Sequence, residues 1–339
     1  PGALPGRWAP TAVVLDGGFG TRLRPLTSTI PKPMLPVGHL PIIERLVTSL
    51  GRSGITEVTL ALGFKPEPFV QAFPDGTCAG VAMRYAVEPE PLDTAGAIRF
   101  AADAAGIDET FVVVNGDILT DLDVSQLVHF HRAHAAEATI HLIAVPDPSA
   151  FGVVALDDDG RVLRFVEKPA PGTAPSNLIN AGTYVLEPSV LQRIPTGQKV
   201  SIERATFPLV AGDGGLFAMA TDDYWIDTGR PELYLQANLD VLAATRAHDR
   251  CQPVHETATV HPQAVVERSV VGAHAQVADA TITGSVLLPG AVVDPHVDRD
   301  LDIEQRVGVG TEVFGQLAEG VLSRAQGFAA VENGPEVGR

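Results

Sequence analysis

Apolar positions follow two rhythms along the first two-thirds of the chain. Short, mostly apolar runs at Ala12–Leu15, Glu57–Leu62, Val81–Val87, Phe111–Val114 and Thr139–Val145 have the length and β-branched content of buried strands. Between them, Pro41–Ser53, Thr94–Asp103 and Val124–His134 read as helices, with Ile42, Leu46, Val47 and Leu50 on one face of the first. This alternation predicts an α/β fold, a Rossmann-like doubly wound mixed sheet with helices on both faces. Such sheets bind ligands at the carboxyl ends of their strands. Two segments fall there: a Gly-rich stretch after Leu15, and Asn115-Gly116-Asp117.

From Phe151 to Thr228 the connections shorten. Asp157-Asp158-Asp159-Gly160 lies between Val153–Leu156 and Val162–Val166 and reads as a hairpin turn. Pro231–Ala244 reads as a closing helix. Near Cys251 the rhythm changes. Val254, Val260 and Val266 fall six apart, and after a five-residue step Val271 and Val277 repeat that spacing. One aliphatic residue per six predicts the flat sides of a short left-handed parallel β-helix of two to three coils. The expected organisation is a catalytic domain over 1–248, a hexapeptide-type β-helix over 251–312, and a tail with a weak helical stretch over 313–339.

Composition narrows the function. With 339 residues, 45% of them apolar and 19% charged, the chain can bury a large core and is not disordered. A formal charge of −17 argues against nucleic acid or an anionic membrane as partner. A phosphate-handling site in such a chain needs local cations. The only lysines are Lys32, Lys65, Lys168 and Lys199. Cys78 and Cys251 are too few for a disulfide framework or a thiolate zinc site, which points to the cytoplasm. No secretory leader and no apolar run of roughly 18 residues is visible. His129, His131 and His134 crowd one predicted helix, but residues two apart do not share a face, so a solvated surface is expected there.

The richest segment runs Leu15-Asp16-Gly17-Gly18-Phe19-Gly20-Thr21-Arg22-Leu23-Arg24-Pro25-Leu26-Thr27 and resumes at Pro31-Lys32-Pro33-Met34-Leu35-Pro36-Val37. A Gly-rich turn after a strand brings backbone N–H groups close to phosphates. Arg22 adds a planar fork for phosphate oxygens, and Lys32, between two prolines, adds a point charge. It is no Walker loop, because no Gly-Lys-Ser/Thr follows.

This segment resembles the signature of the sugar nucleotidylyltransferases, and within them it is most similar to the mannose-1-phosphate guanylyltransferases. The resemblance continues in family order through Glu88-Pro89-Glu90-Pro91-Leu92-Asp93-Thr94-Ala95-Gly96-Ala97, Val114-Asn115-Gly116-Asp117, Phe151-Gly152-Val153, Val166-Glu167-Lys168-Pro169, Asn180-Ala181-Gly182, Ser201-Ile202-Glu203-Arg204 and Tyr224-Trp225-Ile226-Asp227-Thr228-Gly229-Arg230-Pro231. It implies an enzyme that joins an NTP to a sugar 1-phosphate and releases pyrophosphate. GTP and mannose 1-phosphate are the expected pair, with ATP, or a heptose or cyclitol phosphate, as alternatives.

The resemblance also implies roles. Arg22, Lys32 and Lys168 would be catalytic. Leu15, Asp16, Gly17, Gly18, Gly20, Thr21, Glu88, Pro91, Asp93, Thr94 and Gly116 would bind the nucleotide, with Glu88 reading the base. Gly152, Glu167, Lys168 and Asn180 would bind the sugar phosphate. Asp117 and Asp227 would hold Mg²⁺. A homo-oligomer formed through the β-helix is expected. Two positions depart from the pattern: Asp16 replaces a small residue, and Asp93 replaces the glycine of Pro-Leu-Gly-Thr. They open the reading of a shifted nucleotide preference or a silent regulatory subunit. A third reading is an acyltransferase using His261 or His274 of the β-helix.

Overall fold

The computed structural model describes residues 11–16, 18, 20–28, 30–63, 66–245 and 251–294, and the backbone of 321–323. It forms two compact units. One holds the described residues up to Pro36 together with Leu40–Gly229; the other holds Val37–His39 and the described residues from Arg230 on. The division thus falls at Gly229/Arg230, earlier than the boundary expected at 248. The helix Pro231–Leu242 belongs with the second unit, where its buried Asn238 accepts the Gly38 backbone N–H at 2.8 Å.

The first unit is built on a ten-stranded sheet. Its strands are β1 (Thr11–Leu15), β2 (Glu57–Leu62), β3 (Thr77–Cys78), β4 (Val81–Val87), β5 (Phe111–Asn115), β6 (Ala138–Ala144), β7 (Gly152–Leu156), β8 (Val162–Glu167), β9 (Leu178–Leu186) and β10 (Leu216–Thr221). The spatial order β8-β7-β9-β5-β1-β2-β4-β3 is completed by β6 beside β9 and β10 beside β6. Neighbours around β1 run parallel, and β9 runs antiparallel to β5, β6 and β7, so the sheet is mixed as expected.

Period-two alternation divides the core. Val13, Leu15 and Val113 face one side, where they share a cluster with Ala95, Ile98 and Ala101 of helix Asp93–Ala105. Ala12, Val14 and Val112 face the other, with Ile43, Leu46, Val47 and Leu50 of helix Ile42–Arg52. A strand covered on both faces needs an unbroken apolar run, which Ala12–Leu15 supplies. The acidic turn between β7 and β8 is the expected hairpin. Asp157 Oδ1 accepts the backbone N–H of Asp159 at 3.0 Å and of Arg161 at 2.8 Å.

One expectation about a helix face is corrected. His131 is buried; its ring nitrogens meet the Thr139 hydroxyl at 2.8 Å and Glu187 Oε1 at 3.0 Å. It ties helix Val124–Ala133 to β6 and to the end of β9 rather than facing solvent.

In the second unit, short parallel ladders pair Val260 with Val277, Val277 with Val293, Val266 with Ile282 and Val271 with Leu287. The spacing is sixteen or seventeen residues, because corners such as Val266 to Val271 take five residues rather than six. Val271, Val277, Ile282, Leu287 and Val293 share its small core with Ala275 and Ala291. The expected span 251–312 runs past residue 294, and most of 313–339 lies outside the described residues. Val321–Ser323 forms a strand antiparallel to Ser285–Leu287, where a weak helix was expected. Among the described residues no helix is long and apolar enough to cross a membrane.

Candidate active site

The site starts where β1 and β5 end. Parallel neighbours, paired Leu15 with Asn115, deliver Asp16 and Asp117 to the same edge of the sheet. Gly116 makes the close approach: its N–H donates to the Leu15 carbonyl at 2.8 Å, and a β-carbon there would stand 2.8 Å from the same oxygen. The ribbon beside it brings in the second aspartate. Trp225–Asp227 pairs antiparallel with Ile118–Thr120, placing Asp227 opposite Ile118. The Thr228 N–H and hydroxyl then donate to the Asp117 carbonyl, at 3.0 and 2.7 Å.

Lys32 lies between the two carboxylates. It opens a single 3₁₀ turn, Lys32–Met34, and is 5% exposed. Its ammonium forms a close ion pair with Asp117 Oδ2 and stands 3.7 Å from Asp227 Oδ1. Asp227 Oδ1 also accepts the Gly229 N–H at 2.7 Å. A β-carbon on Gly229 would lie 2.8 Å from Asp227 Oδ1, 2.9 Å from Lys32 Nζ and 3.2 Å from Arg22 Nη2. Three predicted residues therefore converge on one glycine. Burial, and next the charge of Asp117, hold the Asp227 carboxyl above its usual range, while Lys32 opposes the shift.

The Gly-rich turn leads into a cleft of about 360 Å³ lined by Leu15, Asp16, Gly18, Lys32, Glu88, Pro91, Asp93 and Thr94 among the predicted residues. Gly18 and Gly20 take positive φ, 95° and 57°. Thr27 closes the loop by donating its hydroxyl to the Gly20 carbonyl at 2.7 Å. Gly17 lies outside the described residues. Thr21 and Arg22 begin an exposed 3₁₀ turn, and neither they nor Gly20 and Gly116 line the cleft. Sequence reasoning missed Arg24, Thr27, Ser28, Ile30, Ala61 and Gly63, which do line it. Gly63 stands just past the carboxyl end of β2, so the strand-end rule that points to the Gly-rich stretch and Asp117 also reaches it.

Several predicted side chains are engaged within the fold. Glu88 Oε2 accepts the Leu92 N–H at 2.8 Å, and burial holds its carboxyl above the usual range. The Thr94 hydroxyl donates to Glu203 at 2.8 Å and accepts the Ile202 N–H at 2.8 Å, tying the helix start to that segment. Asp93 sits at φ 60° and caps the Thr94 N–H at 2.8 Å. A left-handed backbone explains glycine at this position, and Asp is among the residues that tolerate it.

The predicted sugar-phosphate residues gather along β7, β8 and β9. Gly152 pairs with Glu167, and a β-carbon on Gly152 would stand 2.9 Å from Glu167 Oε2 and 2.7 Å from Phe165. Burial, then Glu203, raise the Glu167 carboxyl; Lys168 and Arg204 oppose this. Lys168 Nζ is 3.8 Å from Glu167, on an exposed side chain. Asn180 donates to the Tyr184 hydroxyl at 2.9 Å and accepts the Gly182 N–H at 3.0 Å, so it shapes the β9 bulge. Trp225 Nε1–H donates to the Ala181 carbonyl at 2.8 Å, which links that bulge to the ribbon carrying Asp227.

Comparison with known proteins agrees with this geometry. The nucleotidyl transferase family profile matches residues 11–244. The chain is 40% identical over 295 residues to the mannose-1-phosphate guanylyltransferase of Mycobacterium tuberculosis, covering 84% of this chain and 81% of that one. Among solved structures, HddC from Yersinia pseudotuberculosis complexed with GMP-PN aligns with a TM-score of 0.58 at 30% identity, covering 67% of this chain and 97% of that one. An agreement that runs through the whole sheet, with identity sustained across most of the chain, leaves one conclusion: this enzyme belongs to the nucleotidyl transferase family.

Proposed function

We propose that the chain transfers a guanylyl group from GTP to mannose 1-phosphate, giving GDP-mannose and pyrophosphate. The observation that carries the transfer chemistry is Lys32, buried, lining the cleft and pinned between Asp117 and Asp227, while the 40% identity to a mannose-1-phosphate guanylyltransferase supports the two substrates. A phosphate oxygen of the sugar phosphate attacks the α-phosphorus of the NTP. The bond to the bridging oxygen of the β-phosphate breaks, and that oxygen leaves with its electron pair on pyrophosphate. Little covalent work falls to the protein, so positioning and neutralisation of charge dominate.

In this reading the turn from Gly18 to Arg22 and the Lys32 ammonium steady the triphosphate and the departing pyrophosphate. Leu15, Pro91 and Thr94 wall the nucleoside end. Glu88 keeps one carboxylate oxygen beyond the one that holds Leu92, and that oxygen reads donors on the base. Lys168 holds the sugar phosphate, while Glu167 and the remaining acceptor capacity of Asn180 meet sugar hydroxyls. Asp117 and Asp227 fit a divalent cation. Both are hard oxygen donors, both already face one cation, and Mg²⁺ typically takes one or two carboxylates with substrate oxygens completing its shell. When bound there, Mg²⁺ would supply positive charge at the reacting phosphates.

A screen of NTP and sugar-phosphate pairs, reading pyrophosphate release, tests the reading. GTP with mannose 1-phosphate is expected to give the highest kcat/KM. Preference for ATP, or for a heptose or cyclitol phosphate, would replace the substrates while keeping the reaction. No release from any pair would favour the silent-subunit reading.

For the second unit, the parallel ladders and their shared core support a short left-handed parallel β-helix. Exposed Val265 and Val292 support its use as a contact between copies of the chain. A monomer by light scattering at micromolar concentration would overturn that.

A further inference from the structure

The transfer reaction as described leaves Asp16 without a task. Its backbone N–H donates to the Ala61 carbonyl at 3.0 Å, and its carbonyl accepts the Gly18 N–H at 2.6 Å, so the main chain fixes where the side chain starts. The side chain lines the cleft. Its Oδ1 is out of contact with solvent and has no hydrogen-bond partner among the described residues. Burial, with Asp117 and Glu88, pushes the carboxyl up to about 7. Lys32 opposes that shift, but its ammonium is already engaged by Asp117 and Asp227.

A buried acceptor without a donor costs roughly 1–3 kcal/mol. No described residue supplies a donor, which leaves that part to the occupant of the cleft. For the ionised carboxylate, phosphate oxygens cannot serve, because they only accept hydrogen bonds and carry the same charge. The donors that a nucleotide carries lie on its nucleoside. Position then chooses between sugar and base. In the sheet order β5-β1-β2-β4, Asp16 follows β1, beside the end of β5 that carries Asp117, while Glu88 follows β4 two strands away on the other side. Asp16 therefore lies between the Asp117 and Lys32 side, which suits phosphates, and the Glu88 carboxylate, which suits a base edge. In a nucleotide, the ribose occupies the place between phosphates and base, and it brings two hydroxyl donors.

We propose that Asp16 binds the ribose hydroxyls of the nucleotide and so selects ribonucleotides over deoxyribonucleotides. The proposal rests on the nucleotide reading of the cleft given above, but not on which base is used.

The test is equilibrium binding to the full chain in Mg²⁺ buffer by titration calorimetry. The probes are GTP, 2′-deoxy-GTP and 3′-deoxy-GTP, with the three adenine counterparts in parallel. For whichever base binds, the wild type should hold the ribonucleotide about tenfold or more tighter than at least one deoxy form. Asp16→Ala should bring the three within about threefold of one another. Asp16→Asn keeps one acceptor oxygen and should fall between, and thermal unfolding of both variants checks that they fold. Equal binding of ribo and deoxy forms by the wild type would overturn the proposal. So would an Asp16→Ala loss of the same factor for all three, which would move the residue to the metal or phosphate end. If no nucleotide of either base binds the wild type, the nucleotide reading itself falls, and this proposal with it.

Discussion

Two of the chain's four lysines, both expected from the sequence to meet phosphates, are held in opposite ways. The Lys32 side chain is 4% exposed, set between two prolines, with its ammonium shared by Asp117 and Asp227. The Lys168 side chain is 62% exposed, follows β8 at φ 48°, and reaches Glu167 only at 3.8 Å. A buried ammonium between two carboxylates has one place to be. An exposed one samples many positions until a partner arrives. The difference teaches that the end proposed for metal and triphosphate is organised by the protein itself, whereas the end proposed for the sugar phosphate is left open.

The strongest way to break this comparison is Asp227→Ala. It removes a Lys32 partner and the Gly229 acceptor together, and Mg²⁺-dependent turnover is expected to fall by about a hundred- to a thousand-fold in a protein that still folds. Near-normal turnover, measured beside circular dichroism, would mean the organised end lies elsewhere.

Lys32→Met comes next. It leaves two carboxylates facing each other with one buried cation gone, and unfolding in urea should show a loss of about 3 kcal/mol near pH 8. The sign of the pH dependence follows from Asp227. Its carboxyl is raised in the fold, so the folded protein binds the proton more readily than the unfolded chain, and lowering the pH favours the fold. The deficit should therefore shrink from pH 8 to pH 5. A deficit independent of pH would detach Lys32 from the aspartates.

Lys168→Ala should give the smallest disturbance and the most selective one. Stability should change by under about 0.5 kcal/mol, since the side chain is largely in water. KM for the sugar phosphate should rise by about tenfold, as expected for a lost charge-assisted contact, while KM for the NTP stays put. Equal effects on both would show that Lys168 meets more than one substrate.

The organised end was also the more legible. Unbroken apolar runs mark the β1 and β5 termini, and the strand-end rule points to the Gly-rich stretch after Leu15 and to Asp117. Motif order added Asp227, but only the ribbon pairing with Ile118–Thr120 explains how a residue 110 positions later comes beside Asp117. Side-chain direction was not legible. Thr94 and Asn180 carry the expected residue types, yet their polar atoms serve Glu203, Ile202, Tyr184 and Gly182. Sequence spacing fixes where a residue stands on the chain; local hydrogen bonds decide which way it turns. Asp93 shows the same limit: its charge drew attention, while its φ of 60° is what the position asks for. In the second unit the six-residue period marked the ladders, but corners of unequal length set their register.

The prolines around Lys32 have a consequence beyond catalysis. Two facing aspartates would ordinarily make the folding of this edge depend on a divalent ion, since like charges in a dry place do not stay together unaided. By carrying an ammonium into that gap on a short, stiffened turn, the chain brings a resident counter-ion of its own. Assembly of this edge thereby needs no added cation, and an ion proposed to bind Asp117 and Asp227 would meet a scaffold already held together by Lys32.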